Sequence, residues 1–443
     1  MANKKLIIGL IVAAIIVSGG AIATVFIVLN PFAMVKVSWT NESNEGHYYS
    51  TPLLYEDRVY IGGGFLWHDE HGLTEDLAEY NLYCLDKTTG TEIWKYTLDY
   101  AYIRNGPVLG QIDEGIELIY FIAEGKNETG YRTDQILYAI NLDGTLEWSQ
   151  IITPFIPISN PTGTTPSDQQ GAFSHGTNSI VVDQEGRVIT GGEGINCFDG
   201  ATGSKLWQIN AGYILYGAVA VGDILYTSNS SINMAIDIST GEVTHTYSAN
   251  TYGRITYPSV DSEKNIISGT TKGKVVKFSP TLELLWEYGD FGLNQYDNYV
   301  SIYSNPAIDS QNTIYVGTKN DHNSVIFALN EDGTLKWETT DEIWDVYCSP
   351  CLGNDGKIYI GTEGMAMYVL DKNTGEIEFF KRIFSDDVTW SSPVIDEGGL
   401  LYIGDMGGTL FALETPATGM DLTAPWMCRG GSAYRQFSVE NHS

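Results

Sequence analysis

Short apolar runs separated by polar turns recur along most of the chain. Runs such as RVYIGG, TIYVGT, KIYIGT and LLYIGD are rich in β-branched and aromatic residues and lie between Gly-, Asp- and Asn-containing segments. This pattern predicts buried β-strands joined by tight turns. Outside the N-terminus no long segment has the 3.6-residue period of an amphipathic helix, which excludes helical solenoids and alternating β–α folds.

A turn followed by a tryptophan recurs in nearly every unit. The segment DKTTGTEIWKY has counterparts in NLDGTLEW, DGATGSKLW, NEDGTLKW and DKNTGEIEFF. A proline follows at a constant distance, since Trp94 precedes Pro107 by 13 residues and Trp337 precedes Pro350 by 13. Eight such units, two of them diverged, follow one another at spacings of about 38 to 59 residues. We therefore predict an all-β, eight-bladed β-propeller with four-stranded antiparallel blades.

Trp39 is a displaced copy of the same position. It lies 13 residues before Pro52, but nothing resembling the rest of a blade precedes it, while the last unit (386–413) lacks a fourth strand. We expect strand 35–39 to complete the last blade and close the ring, which removes open sheet edges. The fourth strands then hold, in order, Trp39, Trp94, Trp148, Trp207, His245, Trp286, Trp337 and Phe379.

The repeat resembles that of the PQQ-like (pyrroloquinoline-quinone repeat) β-propeller family. Its pattern, Ala/Cys-x-Asp-x-x-Thr-Gly-x-x-x-Trp, occurs around Asp86, Asp199, Asp237 and Asp371, and APWMCRGGSAYRQF (424–437) is similar to the family's Pro-Trp tail. The resemblance covers residues 34 to about 437. It is specific for the fold but not for the function, because the family mixes quinoprotein dehydrogenases, assembly-factor propellers and uncharacterised surface proteins.

Within that family the chain resembles the assembly-factor propellers more than the dehydrogenases. The dehydrogenases have two adjacent cysteines against the cofactor, and no two cysteines are adjacent here. No motif allows their Ca²⁺ ligands or catalytic Asp to be assigned. We therefore expect neither PQQ nor Ca²⁺ as a cofactor, and we expect no catalytic residues.

The N-terminus predicts a membrane anchor. Residues 6–29 contain no charged side chain and follow Lys4 and Lys5. At 1.5 Å per residue a helix of this length spans the bilayer core of about 30 Å. Ala21-Ile22-Ala23 fits a signal-peptidase site, but the apolar run continues beyond it. The preceding lysines favour a cytoplasmic N-terminus and an extracellular propeller.

These features divide the chain into four parts: a cytoplasmic N-terminus (1–5), a transmembrane signal anchor (6–29), the propeller (34–415) and a C-terminal tail packed on the propeller (416–443).

The net charge of −31 argues against nucleic acid as a partner, because phosphate binding requires clusters of Lys and Arg.

The recurring residues have structural roles in this interpretation. Asp caps the turn, Gly supplies a positive φ, and Trp covers the turn of the neighbouring blade. Cys84 and Cys197 lie two residues before a motif Asp, where other copies have Ala or Val, and are predicted to be small core residues. Cys348 and Cys351 form a CxxC on an inner strand, where positions i and i+3 point to opposite faces.

Three insertions break the short loops and define a rim. They span residues 65–80, 124–135 and 153–175, and the antiparallel order places all three on one face above blades 1 to 3. The closing strand enters from the opposite face. The plain face is therefore expected to lie toward the membrane and the rim to point outward.

The rim contains the candidate functional residues. The residue three before a blade proline is often aromatic or basic, and with two neighbours this gives a candidate ligand set: Tyr49, Arg104, His175, Tyr303, Trp344, Tyr347 and Trp390. Such a set could stack a sugar or a peptide side chain, although packing between blades explains it as well. His68, Asp69 and His71 are weak metal candidates in an acidic loop.

Three functions remain open from the sequence. The favoured one is a membrane-anchored extracellular propeller that acts as a non-enzymatic binding or scaffold module for protein or glycan partners. The second is a divergent quinoprotein dehydrogenase or metal-assisted enzyme at the propeller mouth. The third is a structural component of the cell envelope.

Overall fold

The structure is a computed structural model of the 443-residue chain, and every structural statement below refers to the residues that it describes. These are residues 14–18, 21–25, 35–42, 50–63, 80–98, 101–103, 106–113, 115–126, 132–153, 179–213, 217–229, 231–248, 254–289, 300–320, 324–341, 343–388, 390–432 and 438–439.

The described residues form an eight-bladed β-propeller, as the repeat predicts. The blades are numbered 1 to 8 along the chain, and within each blade strands A to D run from the central channel outward. Consecutive strands pair in antiparallel order. A short extra strand, Ala101–Ile103, also pairs with strand B of blade 2.

The strand bounds of blades 1 to 4 are as follows. Blade 1 has Leu53–Tyr55, Arg58–Gly62, Tyr80–Asp86 and Glu92–Leu98. Blade 2 has Val108–Asp113, Ile116–Lys126, Arg132–Asn141 and Leu146–Thr153. Blade 3 has Ile180–Val182, Arg187–Asp199 and Lys205–Tyr213. Blade 4 has Val219–Val221, Ile224–Ser228, Ile232–Asp237 and Val243–Ser248.

The strand bounds of blades 5 to 8 follow the same order. Blade 5 has Ser259–Val260, Ile266–Gly269, Val275–Phe278 and Leu284–Tyr288. Blade 6 has Ala307–Ile308, Ile314–Gly317, Ile326–Leu329 and Leu335–Glu338. Blade 7 has Cys351–Leu352, Lys357–Thr362, Ala366–Asp371 and Ile377–Arg382. Blade 8 has Val394–Ile395, Leu400–Gly404, Thr409–Glu414 and, from the N-terminus, Lys36–Glu42.

Blade 3 has one long central strand in place of two. The first part of Arg187–Asp199 pairs with strand A and the last part pairs with strand D. Gly192 and Gly194 lie between the two parts with φ values of 157° and 92°. Because glycine adopts these conformations without a steric penalty, this segment takes the place of strands B and C.

The N-terminal strand closes the ring. Lys36 lies opposite Glu414, and Trp39 lies opposite Ala412 in strand C of blade 8. The displaced Trp39 therefore occupies the position that Trp94 occupies opposite Cys84 in blade 1. Both ends of the propeller sequence meet in one sheet, which pairs an edge that would otherwise be open.

Burial explains the two hydrophobic patterns along the chain. The central strands are covered on both faces by neighbouring blades, so runs such as Ala366–Asp371 are apolar at almost every position. The outermost strands are half covered, and Glu92–Leu98 alternates between exposed and partly buried residues. The core thus lies between the blades.

Each repeat tryptophan lies on a glycine of the next blade. A Cβ at Gly90 would come within 2.4 Å of the Trp39 ring. The same contact joins five further pairs: Trp94–Gly144, Trp148–Gly203, Trp207–Gly241, Trp286–Gly333 and Trp337–Gly375. In those five blades the indole N–H also donates to a backbone carbonyl of the next blade at 2.7 to 3.0 Å. The motif therefore links successive blades.

Aspartates hold the turns in place. In the C–D turn of blade 1, Asp86 Oδ1 accepts hydrogen bonds from Thr89 N and Thr89 Oγ1, both at 2.7 Å. In the A–B turn of blade 6, Asp309 Oδ1 accepts from Gln311 N and Thr313 N, both at 2.9 Å. These carboxylates satisfy turn N–H groups that no strand pairs.

The predicted transmembrane helix over residues 6–29 is not confirmed. Part of that segment forms two short antiparallel strands, Ala14–Ser18 and Ala21–Val25, with Ile16 opposite Ala23. Isoleucine, valine and threonine dominate these strands, and β-branched residues favour extended backbone. Among the described residues, no helix is both long and apolar enough to cross a membrane.

Candidate functional site

A belt of hydrogen bonds joins the blades around the channel, one residue before the blade prolines. Asn305 N donates to Ser349 Oγ at 2.8 Å, Ser349 N to Ser392 Oγ at 2.9 Å, and Ser392 N to Thr51 Oγ1 at 3.0 Å. All four side chains are buried. The belt runs through blades 6, 7, 8 and 1, so it also crosses the point of ring closure. The belt holds in place the segments that immediately precede it in each of these blades.

Three of the predicted ligand residues converge at the channel mouth. Tyr303, Tyr347 and Trp390 belong to blades 6, 7 and 8 and each precedes its blade proline by three residues. Tyr303 and Tyr347 stack with ring centroids 5.8 Å apart and planes at 10°. Trp390 lies 5.1 Å from Tyr347 and 5.9 Å from Tyr303. We call this group the aromatic cup.

The contact between Tyr303 and Trp390 locates the aromatic cup. These residues come from blades 6 and 8, and blade 7 lies between them. Equivalent positions two blades apart meet only where the blades converge, which is near the channel axis. All three rings keep partial solvent exposure, so the cup is packed on itself and still accessible.

Trp344, which the sequence placed in the same set, lies elsewhere. The Arg382 guanidinium is 5.5 Å from its ring centroid, and a Cβ at Gly364 would come within 2.5 Å of the indole. Gly364 lies between strands B and C of blade 7. Trp344 therefore packs at the interface of blades 6 and 7.

The remaining candidates lie outside the described residues. These are Tyr49, Arg104 and His175 of the ligand set and the metal candidates His68, Asp69 and His71, together with most of the three insertions. Within the part of the chain that is described, no three His, Cys, Asp or Glu side chains are grouped closely enough to hold a metal ion.

The C-terminal tail enters the channel from the opposite face. Ile308 N donates to Trp426 O at 2.7 Å, and Leu352 N donates to Met427 O at 2.9 Å. Further on, Ser438–Val439 pairs in parallel with strand A of blade 4. The tail thus pairs with strand A of blades 6, 7 and 4.

The tail brings Arg429 to the base of the aromatic cup. Arg429 Nη1 donates to the backbone carbonyl of Trp390 at 3.0 Å, and its Cζ lies 4.6 Å from the centroid of Tyr257 in blade 5. A side chain that contacts blades 5 and 8 lies close to the axis. Sequence reasoning missed Arg429, because the path of an irregular tail has no periodicity from which to predict it.

The cysteines are poorly suited to chemistry. All five are buried, and none forms a disulfide. Burial raises the pKa of Cys84 to about 11 and the pKa values of Cys197 and Cys348 to about 12. Cys348 Sγ also donates to Gly361 O at 3.1 Å. Because nucleophilic attack and metal binding require an accessible thiolate, these groups act as core residues.

Comparisons with known proteins identify one family. The profile of the family described as "Outer membrane protein assembly factor BamB" matches residues 133–378, more than half of the chain. No curated protein sequence matches the chain.

Three solved structures are similar to the chain. The computationally designed Ika8 protein is 12% identical, with a TM-score of 0.59 and coverage of 85% of this chain and 98% of its own. A europium-containing methanol dehydrogenase is 12% identical, with a TM-score of 0.61 and coverage of 86% and 93%. BamB from Moraxella catarrhalis is 13% identical, with a TM-score of 0.45 and coverage of 86% and 99%. At these identities the first two show the propeller fold alone.

Proposed function

Because the chain belongs to the family of the outer membrane protein assembly factor BamB, we propose that it is a non-enzymatic scaffold that binds a protein partner. The name of the family describes a factor that acts in the assembly of other proteins, which favours a protein over a glycan as the partner. The proposal includes a membrane anchor at residues 6–29 and an extracellular propeller.

The aromatic cup is the observation that supports this proposal most directly. Tyrosine and tryptophan offer large contact areas with few rotatable bonds, so they lose little entropy on binding and are enriched at interface hot spots. The three rings keep partial exposure and are held by the buried belt beneath them. A preorganised aromatic surface of this kind suits a protruding side chain of a partner.

The topology supports an orientation for the scaffold. Strand D of blade 8 begins at Lys36, opposite Glu414, on the face where the C-terminal tail begins. Tyr347 and Trp390 precede their A strands and therefore lie on the other face. An anchor immediately N-terminal to Lys36 would leave the aromatic cup directed away from the membrane.

Photo-crosslinking from the full-length chain in cells tests the proposal. A photoreactive residue at position 347 is compared with one at position 380, because Phe380 is 46% exposed on the outer strand of blade 7, away from the cup. We expect one partner protein to be crosslinked from position 347 and not from position 380. Identical products from both positions would contradict binding at the cup.

The variants Tyr347→Ala and Phe380→Ala complete the test. Each removes one partly exposed aromatic ring, and retention of the fold is checked from the thermal unfolding midpoint. Tyr347→Ala should reduce co-purification of the crosslinked partner, whereas Phe380→Ala should leave it unchanged. An undiminished yield in folded Tyr347→Ala would reject the cup as the binding surface.

The location is tested separately. Protease added to intact cells should remove the propeller and leave the N-terminal anchor in the membrane. Full protection of the propeller would contradict the extracellular placement without affecting the crosslinking result.

A further inference from the structure

Arg429 is a buried cation whose protein contacts leave part of its guanidinium unsatisfied. The residue is only 5% exposed. Nη1 donates to Trp390 O, and the Tyr257 ring lies against the guanidinium, but Nε is buried without a hydrogen-bond partner. Among the described residues, no carboxylate forms an ion pair with it.

This arrangement contrasts with that of Lys277, a second deeply buried cation among the described residues. Lys277 Nζ lies 2.8 Å from Asp261 Oδ2, and both side chains are almost fully buried. A buried charge is costly to desolvate unless a charge of opposite sign compensates it. Lys277 has such a partner in the chain, whereas Arg429 has a carbonyl and an aromatic ring in that role.

Arg429 and the aromatic cup are joined through one residue. The same residue, Trp390, supplies the carbonyl that accepts from Nη1 and the indole ring that contacts Tyr303 and Tyr347. The cation therefore lies at the base of the cup, close to the channel axis. Trp426 and Met427, paired with blades 6 and 7, hold the tail that positions it.

We propose that the aromatic cup and Arg429 together bind a carboxylate-bearing peptide segment of the partner, with an apolar side chain on the rings and the carboxylate on the guanidinium. This inference rests on the proposed scaffold function. A planar guanidinium whose Nε–H has no acceptor in the protein matches a carboxylate, and the aromatic rings match the flanking side chain. The charge of −31 repels anions at long range, but salt screens it beyond about 8 Å.

A pair of small probes isolates the contribution of the charge. N-acetylphenylalanine has a carboxylate, and N-acetylphenylalanine amide is its neutral counterpart of nearly the same shape. Affinities for the detergent-solubilised full chain are measured by calorimetry. We expect the acid to bind about tenfold more tightly than the amide, since a charge-assisted hydrogen bond is roughly twice as strong as a neutral one.

Variants assign that preference to Arg429. Arg429→Met should abolish the difference between the acid and the amide, and Arg429→Lys should retain part of it. Lys274→Met, which removes a partly exposed lysine paired with Glu287 on blade 5, should leave the difference unchanged. If Arg429→Met does not fold, the preference for the acid over the amide is compared between Arg429→Lys and wild type. This preference should be smaller in Arg429→Lys, because a contact specific to the guanidinium weakens in the lysine variant.

Each remaining outcome overturns the inference. Equal affinities for the two probes would show that the cup binds neutral groups, which leaves the scaffold function intact if the crosslink at position 347 persists. A preference for the acid that survives in Arg429→Met would place the anion elsewhere. Binding of neither probe would also reject the proposed ligand class.

Discussion

Trp94 of blade 1 covers Gly144 of blade 2 and donates its indole N–H to Leu142 O at 3.0 Å. A Cβ at Gly144 would come within 2.8 Å of the indole ring. The equivalent Trp39 covers Gly90 in the same way, but its Nε1 is buried without an acceptor. The two tryptophans therefore share their packing and differ in one hydrogen bond.

This difference predicts unequal effects of the same substitution. Trp94→Phe removes one of the two hydrogen bonds that Leu142 O accepts, the other coming from Arg58 Nη1. Trp39→Phe, in contrast, removes a donor that has no partner. We expect Trp94→Phe to lower the free energy of unfolding by about 1 kcal/mol more than Trp39→Phe. Urea denaturation of both variants measures the difference. Equal losses would mean that the indole bond contributes nothing beyond packing.

The second prediction separates backbone strain from steric conflict at two glycines of blade 7. Gly375 has a φ of 74°, and a Cβ there would lie 2.4 Å from the Trp337 ring. Gly356 has a φ of 79°, but nothing lies within 4 Å of an added Cβ. Gly356→Ala should cost about 1 kcal/mol from strain alone. Gly375→Ala should cost about 1–3 kcal/mol more, because the tryptophan must move.

Thermal and urea unfolding of these two alanine variants check that order. A loss of stability at Gly356 equal to or larger than the loss at Gly375 would contradict a role for the Trp337 contact.

The third prediction concerns the buried ion pair of blade 5. Lys277→Met leaves Asp261 buried without its cation, so we expect a loss of about 3–5 kcal/mol in the free energy of unfolding. Lys274 is more exposed than Lys277 and pairs with Glu287 near the same strand, so Lys274→Met should cost less than about 1 kcal/mol. Denaturant unfolding of both variants compares them. A small loss at Lys277 would show that Asp261 is compensated in another way.

The repeat contained most of the information needed to predict the fold. A fixed distance between tryptophan and proline predicted eight blades, and the displaced Trp39 predicted closure by an N-terminal strand; both are confirmed. The PQQ-like family resemblance is confirmed by the match over residues 133–378. The helix over residues 6–29 is not confirmed, because hydropathy and length do not distinguish an apolar helix from apolar β-branched strands.

The candidate site was less predictable, since it depends on which residues converge across blades. The position three residues before the blade proline predicted Tyr303, Tyr347 and Trp390, and these three do meet. Trp344 was added to the set only because it is close to Tyr347 in the sequence, and it packs elsewhere. The location of Arg429 beside the aromatic cup depends on the path of the tail, which the repeat does not predict. The ion pair between Asp261 and Lys277 of strand C could not be predicted from the repeat either, because the partner differs between blades. In blade 6 the equivalent Asp309 accepts a hydrogen bond from Tyr315 of strand B.

The last prediction concerns the acid sensitivity of the turns. The Thr89 hydroxyl, with the backbone N–H of Thr89, holds the pKa of Asp86 below its usual range, and hydrogen bonds from Ser239 and Thr240 do the same for Asp237. A carboxyl group whose pKa is lowered by folding stabilises the folded state above its unfolded pKa of about 4. That stabilisation is lost as the pH falls through the folded pKa.

Asp86→Asn provides the comparison, because an amide does not titrate. Wild type should be more stable than Asp86→Asn at pH 7, and the gap should narrow steadily from about pH 5 down to pH 3. Unfolding midpoints measured across this range test the sign, with Glu42→Gln as a control that removes a carboxyl group from the exposed closing strand. A gap that stays constant or widens on acidification would show that the Asp86 turn does not depend on its charge.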